Sequence, residues 1–211
     1  MIHEVYGYPV YVGKVSNFEN IFEHMKDFLI KTPIHKADMW DASCLTTSTH
    51  GTSSNVTQYY SKHITTMIEE HKTIMLNDLG LKDTITTTCS LCGDPKCEKC
   101  MDMWINVYTK GMSQGGHWHI EGKDNDPILS FVYFAKYDSE NDSKLIFVNP
   151  APKTTCKKLL NLKAYKRNTI ISVKENDVII FPSFMIHYVE EQKVDGPRIT
   201  IAGNLYEQLK E

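Results

Sequence analysis

From residue 104 onward the chain is cut into runs that suit strands and are too short for helices: 104–108, 128–135, 144–148, 169–173, 178–181, 186–189 and 199–204. β-Branched and other apolar residues dominate each run, and turn-forming clusters such as 138–143 and 175–177 separate them. Strands this short can bury an apolar face only against another layer. The pattern therefore predicts a compact antiparallel sandwich or jelly roll.

The N-terminal part reads differently. Residues 6–15 alternate in polarity around Pro9, which predicts a short edge strand. Ser16 and Glu19 form a capping box ahead of Phe18, Ile21, Phe22, Met25, Phe28 and Leu29, which recur at helical spacing. Residues 32–55 are rich in Ser, Thr, Asp and Gly and read as an irregular connection anchored by Trp40. A second helix is expected over about 55–79, ended by Gly80, with Tyr59, Ile64, Met67, Ile68 and Met75 on or near one face. His63 and His71 lie on it without a metal-spaced partner and read as surface or packing residues. The expected class is α+β, a double-stranded β-helix (jelly roll) core over 102–211, a helical buttress over 1–87 and a four-cysteine loop over 88–101, all within one domain.

Composition narrows the functional classes. At 211 residues, 41% hydrophobic and 23% charged, the chain is ordinary globular material, and no long apolar run suggests a membrane span. The first fourteen residues lack a basic region followed by an apolar one, so a reducing cytoplasm is the expected compartment. A net charge of −3 gives no global basic field for non-specific nucleic-acid binding. Lys157, Lys158, Lys163, Lys166 and Arg167 form a local basic cluster that reads as a solvated loop face.

Cys89 and Cys92 form one CxxC pair and Cys97 and Cys100 a second, four residues apart, with Gly93 and Pro95 bending the chain between them. Four thiolates suit tetrahedral zinc, so a structural zinc site is expected here, clamping the entry to Trp104. Cys44 and Cys156 stand alone and are expected to be buried and unreactive.

The chemistry concentrates in His117-Trp118-His119-Ile120-Glu121. In an extended segment His117, His119 and Glu121 share one face, but the ends of that series lie roughly 13 Å apart. Either His117 with His119 or His119 with Glu121 is the chelating pair, and a third ligand must come from elsewhere. Six of the nine histidines lie at or before residue 71, which leaves His187, presented after an apolar strand and Pro182. Arg198 and Thr200 share one side of the following strand, and a buried guanidinium needs an anionic partner such as a carboxylate. Trp118, on the opposite face of an ideal strand, is expected in the core.

These elements resemble, in order and spacing, the Fe(II)- and 2-oxoglutarate-dependent oxygenases: Asn106-x-Tyr108, His117-x-His119, the segment 177–183 leading to His187, and Arg198-x-Thr200. Within that superfamily they are similar to a small, often phage-encoded group of prolyl-hydroxylase-like proteins, with a Trp-Ile-Asn-Val-Tyr strand, an HxH and Ser130-x-Val-Tyr-Phe134. The resemblance covers about 104–205 strongly and the N-terminal helices weakly. It implies Fe(II), with 2-oxoglutarate and O2 as cosubstrates, Arg198 holding the distal carboxylate, and Tyr108, Thr200 and Asn106 assisting. The primary substrate stays open, because contacts to it lie on loops.

The superfamily usually carries HxD or HxE, and here His119 stands where the acid belongs. Spacing favours His117, His119 and His187 as ligands; ligand chemistry favours His119, Glu121 and His187, a two-histidine, one-carboxylate face, with Asp124 a distant candidate. Spacing is given the greater weight. Two other classes compete. A cupin shares the fold and matches Gly111 and the HxH but has no use for Arg198, and a zinc-stabilised interaction module would leave the histidines merely buried.

Overall fold

Two antiparallel sheets dominate the computed structural model, which describes residues 1–16, 34–37, 41–47, 56–81, 85–86, 103–122, 126–151 and 166–207. The larger sheet runs in the order β1 (Ile2–Val5), β2 (Tyr8–Lys14), β11 (Asp177–Pro182), β8 (Leu129–Lys136), β13 (Arg198–Glu207), β6 (Met103–Tyr108), β4 (Leu45–Thr46) and β3 (His35–Lys36). A short β5 (Ile85–Thr86) pairs with the end of β13. The smaller sheet is β10 (Asn168–Ile170), β9 (Leu145–Val148), β12 (His187–Val189) and β7 (Gln114–His117). From β6 onward the chain passes back and forth between the sheets, β9 to β10 being the one step that stays in the smaller one. That alternation builds a jelly roll.

The period of two along each strand divides the large sheet into two faces. Met103, Ile105 and Val107 of β6 point into a core shared with Phe131 and Tyr133 of β8 and Ile199 and Ile201 of β13. Ile64, Met67, Ile68, Met75 and Leu76 of α1 (Val56–Asp78) close that core from outside, at the i, i+3, i+4 spacing of one helical face. The alternate residues, Trp104, Asn106 and Tyr108, face the smaller sheet. Burial on both faces explains why β8 is apolar almost throughout.

The helix stops where the sequence says it should. Gly80 adopts φ +67°, its N–H bonds to Asn77 O, and Leu81 N–H reaches back to Leu76 O. This is a Schellman cap, for which glycine is the unstrained residue.

Several expectations are adjusted. The anticipated edge strand over 6–15 is half of a hairpin: Tyr6 and Gly7, both with positive φ, turn β1 into β2, and β2 lies inside the sheet between β1 and β11. Pro9 is tolerated because β11 pairs only with residues 11–14, so its missing N–H forfeits no bond on that side. The run 169–173 pairs only over Asn168–Ile170, and 199–204 extends to Arg198–Glu207. The expected first helix, Trp40, the cysteines at 89, 92, 97 and 100, Asp124, Cys156, and the lysines at 157, 158 and 163 lie outside the described residues. Cys44 is buried, and Lys166 and Arg167 are exposed. No helix among the described residues is long and apolar enough to cross a membrane.

His71 is buried on the inner side of α1, where its Nδ1 lies 2.8 Å from the Tyr11 hydroxyl. A Cβ on Gly13 would overlap both groups. Gly13→Ala should therefore destabilise the fold by about 1–3 kcal/mol, the usual range for overpacking. Urea denaturation checks this, and a midpoint equal to wild type would count against the close packing of β2 on the helix.

Candidate metal centre

The smaller sheet brings two histidines together by register. His117 is the last residue of β7 and His187 the first of β12, and they are direct antiparallel partners. Opposite residues project from the same face, and the two ring centroids are 4.3 Å apart. His119 lies past the end of β7, where its N–H donates to Ser183 O at 2.9 Å. Its ring lies 5.4 Å from that of His117 and 5.1 Å from that of His187. One ligating atom from each histidine falls within 4.8 Å of the others. An ion held about 2.1 Å from each imidazole nitrogen needs the nitrogens no more than roughly 4 Å apart, so small ring rotations complete the site.

Protonation is set by the second ring nitrogen. His117 Nδ1 is 2.9 Å from Gly115 O, and His187 Nδ1 is 2.9 Å from Met185 O. A carbonyl only accepts, so both Nδ1 atoms carry the proton and Nε2 carries the lone pair. His119 Nδ1 is 2.6 Å from Asn204 Oδ1, which gives the same tautomer. Burial pushes His119 down to about 4, helped by neighbouring His117, and holds His187 well below its ordinary value. Burial lowers His117 as well. All three are neutral at pH 7, the form that binds metal.

A cavity joins this cluster to the large sheet. Its floor follows from register: Tyr108 faces Arg198, Asn106 faces Thr200, and Trp104 faces Ala202. Arg198 is 1% exposed, and none of its three guanidinium nitrogens has a hydrogen-bond partner among the described residues. Tyr108, Phe134 and Tyr137 surround it, with ring centroids 4.7, 5.6 and 5.8 Å from the guanidinium carbon. The Tyr108 hydroxyl proton is committed to Gln114 Oε1 at 2.7 Å. Burial lowers the Arg198 pKa, yet a guanidinium stays protonated in proteins. A charge so enclosed demands an anion. Asn106 and Thr200 are buried beside it.

The structure thus gathers His117, His119, His187, Arg198, Thr200, Tyr108 and Asn106 around one cavity. The alternative carboxylate, Glu121, is exposed and outside the cluster. The strand ends at His117, and the chain then turns at Gly122, φ +79°, with the Glu121 and Gly122 N–H groups held by the Asp126 carboxylate. Alternation along a straight strand therefore does not extend to residue 121. Trp118 is 55% exposed, not in the core as expected, because it too lies beyond the strand. Gln114 and Asn204 were not foreseen. Asn204 follows Arg198, Thr200 and Ala202 at period two on β13, the signal that could have found it.

Comparison with known proteins bears on this geometry. Residues 102–204 match the family model described as "Putative 2OG-Fe(II) oxygenase". The fold is similar to that of a Pseudomonas putida prolyl-4-hydroxylase, at TM-score 0.59 and 10% identity over 96% of this chain and 94% of that one. It is also similar to HygX of Streptomyces hygroscopicus, solved with nickel, 2-oxoglutarate and hygromycin B, at TM-score 0.55 and 10% identity over 96% and 84%. A viral collagen prolyl hydroxylase from Paramecium bursaria Chlorella virus-1, in complex with 2-oxoglutarate, matches at TM-score 0.51 and 13% identity over 93% and 96%. At these identities the likeness is one of fold. No curated protein matches the chain.

The lowered histidine values make stability depend on pH. Below 6.5 an unfolded histidine takes up a proton that folded His119 refuses until about pH 4. The unfolded state then binds more protons, so the metal-free fold loses stability as pH falls through that window. His117, His187 and His71 act in the same direction. Urea denaturation of metal-free protein at steps between about pH 7 and pH 4 should show the loss, and a flat profile would refute buried neutral histidines.

Proposed function

We propose that the chain is an Fe(II)/2-oxoglutarate-dependent oxygenase, on the match of residues 102–204 to that family model and the likeness of fold, that His117, His119 and His187 hold the iron, and that Arg198 grips the distal carboxylate of 2-oxoglutarate. The observation that carries this reading is the buried, unpartnered Arg198 guanidinium in the same cavity as three neutral imidazoles. The donor set fits the ion: three imidazole nitrogens suit a first-row divalent metal and leave positions for a chelating keto acid and O2. The arginine fits the cosubstrate, because its planar fork matches a carboxylate. A cupin reading gives Arg198 no task.

Bound Fe(II) with 2-oxoglutarate and O2 supplies the oxidation, in which decarboxylation to succinate and CO2 is coupled to hydroxylation of a C–H bond. The protein contributes position and exclusion of water. Arg198 fixes one end of the keto acid and so orients the other toward the histidines. Thr200 and Asn106, opposite each other across β13 and β6, line the path between the two ends. Tyr108 walls the carboxylate end with its ring, and Gln114 fixes the direction of the phenol. Trp104 packs beside the His119 ring, with centroids 5.6 Å apart and the planes tilted by 31°. HygX and the viral hydroxylase, both solved with 2-oxoglutarate, support the choice of keto acid. The four cysteines remain a proposed structural zinc site.

Calorimetry in the presence of a surrogate divalent ion tests the arginine. Arg198→Ala should weaken 2-oxoglutarate binding at least about thirtyfold, equivalent to about 2 kcal/mol for a lost buried charge partner. Unchanged affinity would overturn its assignment.

Anaerobic Fe(II) titration tests the ligands. His117→Ala should weaken binding beyond the roughly 10- to 100-fold typical of losing a ligand's hydrogen-bond partner. Glu121→Gln should stay within about fivefold of wild type, since an exposed charge is worth under about 1 kcal/mol. The reverse ranking would replace His117 with Glu121 and leave the oxygenase family standing.

A further inference from the structure

The three histidines are not held in the same way. His117 and His187 each give their Nδ1 proton to a backbone carbonyl two residues earlier, Gly115 O and Met185 O, within their own strands or turns. Any sequence that forms those bends supplies such a carbonyl. His119 instead reaches a side chain 85 positions away, Asn204 Oδ1, at 2.6 Å. It also has no strand to fix its backbone, because β7 ends at His117.

The atoms around Asn204 form a closed circuit. His119 N–H donates to Ser183 O, Ser183 Oγ lies 2.9 Å from Ser130 Oγ, Ser130 Oγ donates to Asn204 Oδ1 at 2.9 Å, and Asn204 Oδ1 accepts from His119 Nδ1. The directions are determined. Ser130 has one hydroxyl proton and gives it to Asn204, so the bond between the serines is donated by Ser183. Ser130 and Ser183 are fully enclosed and Asn204 nearly so, and a polar circuit at this depth persists only if its members are satisfied. Three strands or their ends contribute to it: β8 through Ser130, the end of β11 through Ser183, and β13 through Asn204. The circuit therefore ties His119, which lies outside every strand, to the rigid centre of the large sheet.

We infer that Asn204 is the positioning residue for the third metal ligand: with Ser130 and Ser183 it sets the tautomer and ring direction of His119, a task the backbone performs for the other two histidines. This rests on the three-histidine reading. It adds that the ligand standing at the usual acid's position is coordinating only because Asn204 accepts its Nδ1 proton. A side chain of the same size that cannot accept would let the ring rotate or change tautomer. A carboxylate at the same place would accept the proton as well.

Metal binding without turnover tests this. Fe(II) affinity under anaerobic conditions, and the visible ligand-field spectrum of the Co(II) form, are compared for wild type, Asn204→Leu, Asn204→Asp, Ser130→Ala and His187→Ala. Asn204→Leu should weaken Fe(II) binding about 10- to 100-fold and alter the Co(II) spectrum. Asn204→Asp should restore both affinity and spectrum. Ser130→Ala, which removes one of the two bonds to Asn204 Oδ1, should weaken binding in the same direction by less. Binding by Asn204→Leu within about twofold of wild type would overturn the inference, as would Asn204→Asp binding as weakly as Asn204→Leu; twofold lies below the range for such partners. If Asn204→Leu does not fold, wild-type affinity in Ser130→Ala or a loss of tenfold or more in Asn204→Asp overturns it, being the size of effect expected for a lost partner. Undiminished binding in His187→Ala would instead bring down the three-histidine reading itself and this inference with it.

Discussion

The placement of β13 between β6 and β8 is the constraint from which the rest follows. Its ladder is paired on both sides, so its side chains can only leave the sheet upward or downward. Ile199, Ile201 and Leu205 go to the core shared with the helix, Arg198, Thr200 and Ala202 line the cavity, and Asn204 reaches His119. A slip of one residue would exchange the two sets and bury an arginine among Ile64, Ile68 and Phe131. The apolar core thus enforces the register, and the register delivers the polar residues to the side of the histidine cluster. Stability and function are coupled through the same ten residues.

The cavity carries an electrostatic imbalance that the fold tolerates. Arg198 has lost its hydration and receives only ring faces from Tyr108, Phe134 and Tyr137, each contact worth about 0.5–2 kcal/mol. Desolvating a guanidinium costs several kcal/mol. Part of the difference comes from the carboxylate of Asp142, which raises the arginine pKa and is held in place by Asp138 N–H and Gln192 Nε2. The rest is available to a bound anion. A dianionic keto acid held as proposed, with Arg198 at one end and a divalent ion at the other, would relieve both uncompensated charges together.

Much of this was legible in the residues. The β core, the helix with its Gly80 stop, and the identity of His117, His119, His187 and Arg198 as site candidates come from patterns of period two and 3.6 and from the spacing of chemically distinctive side chains. Strand ends were not legible. Whether β7 stops at His117 or continues to Glu121 depends on the Gly122 turn and on Asp126, whose carboxylate takes the N–H groups that a strand would have used. The same ending exposes Trp118. The Tyr6-Gly7 turn was missed because a tyrosine at positive φ is uncommon; here its hydroxyl accepts from Thr169 and lies 3.0 Å from Arg167 O, tying the hairpin to the smaller sheet. Long-range pairs such as His119 with Asn204 have no local signature at all.

A metal site of three histidines, as proposed, would also change what the site demands of the fold. A carboxylate placed beside His117 and His187 would be a buried anion without a cation until metal arrived, and would either cost folding energy or take up a proton. Three imidazoles avoid that. Each is neutral, each has its Nδ1 proton accepted, and Phe181 and Trp104 pack against two of the rings, so the cluster resembles an ordinary aromatic core before the ion binds. The consequence would appear on binding: with no negative ligand, attraction for the cation would come from lone-pair donation alone, and the direction of each ring would matter more than for a carboxylate, which attracts from a range of angles. Rigid orientation of the histidines would thus be the means by which the proposed neutral donor set competes for iron.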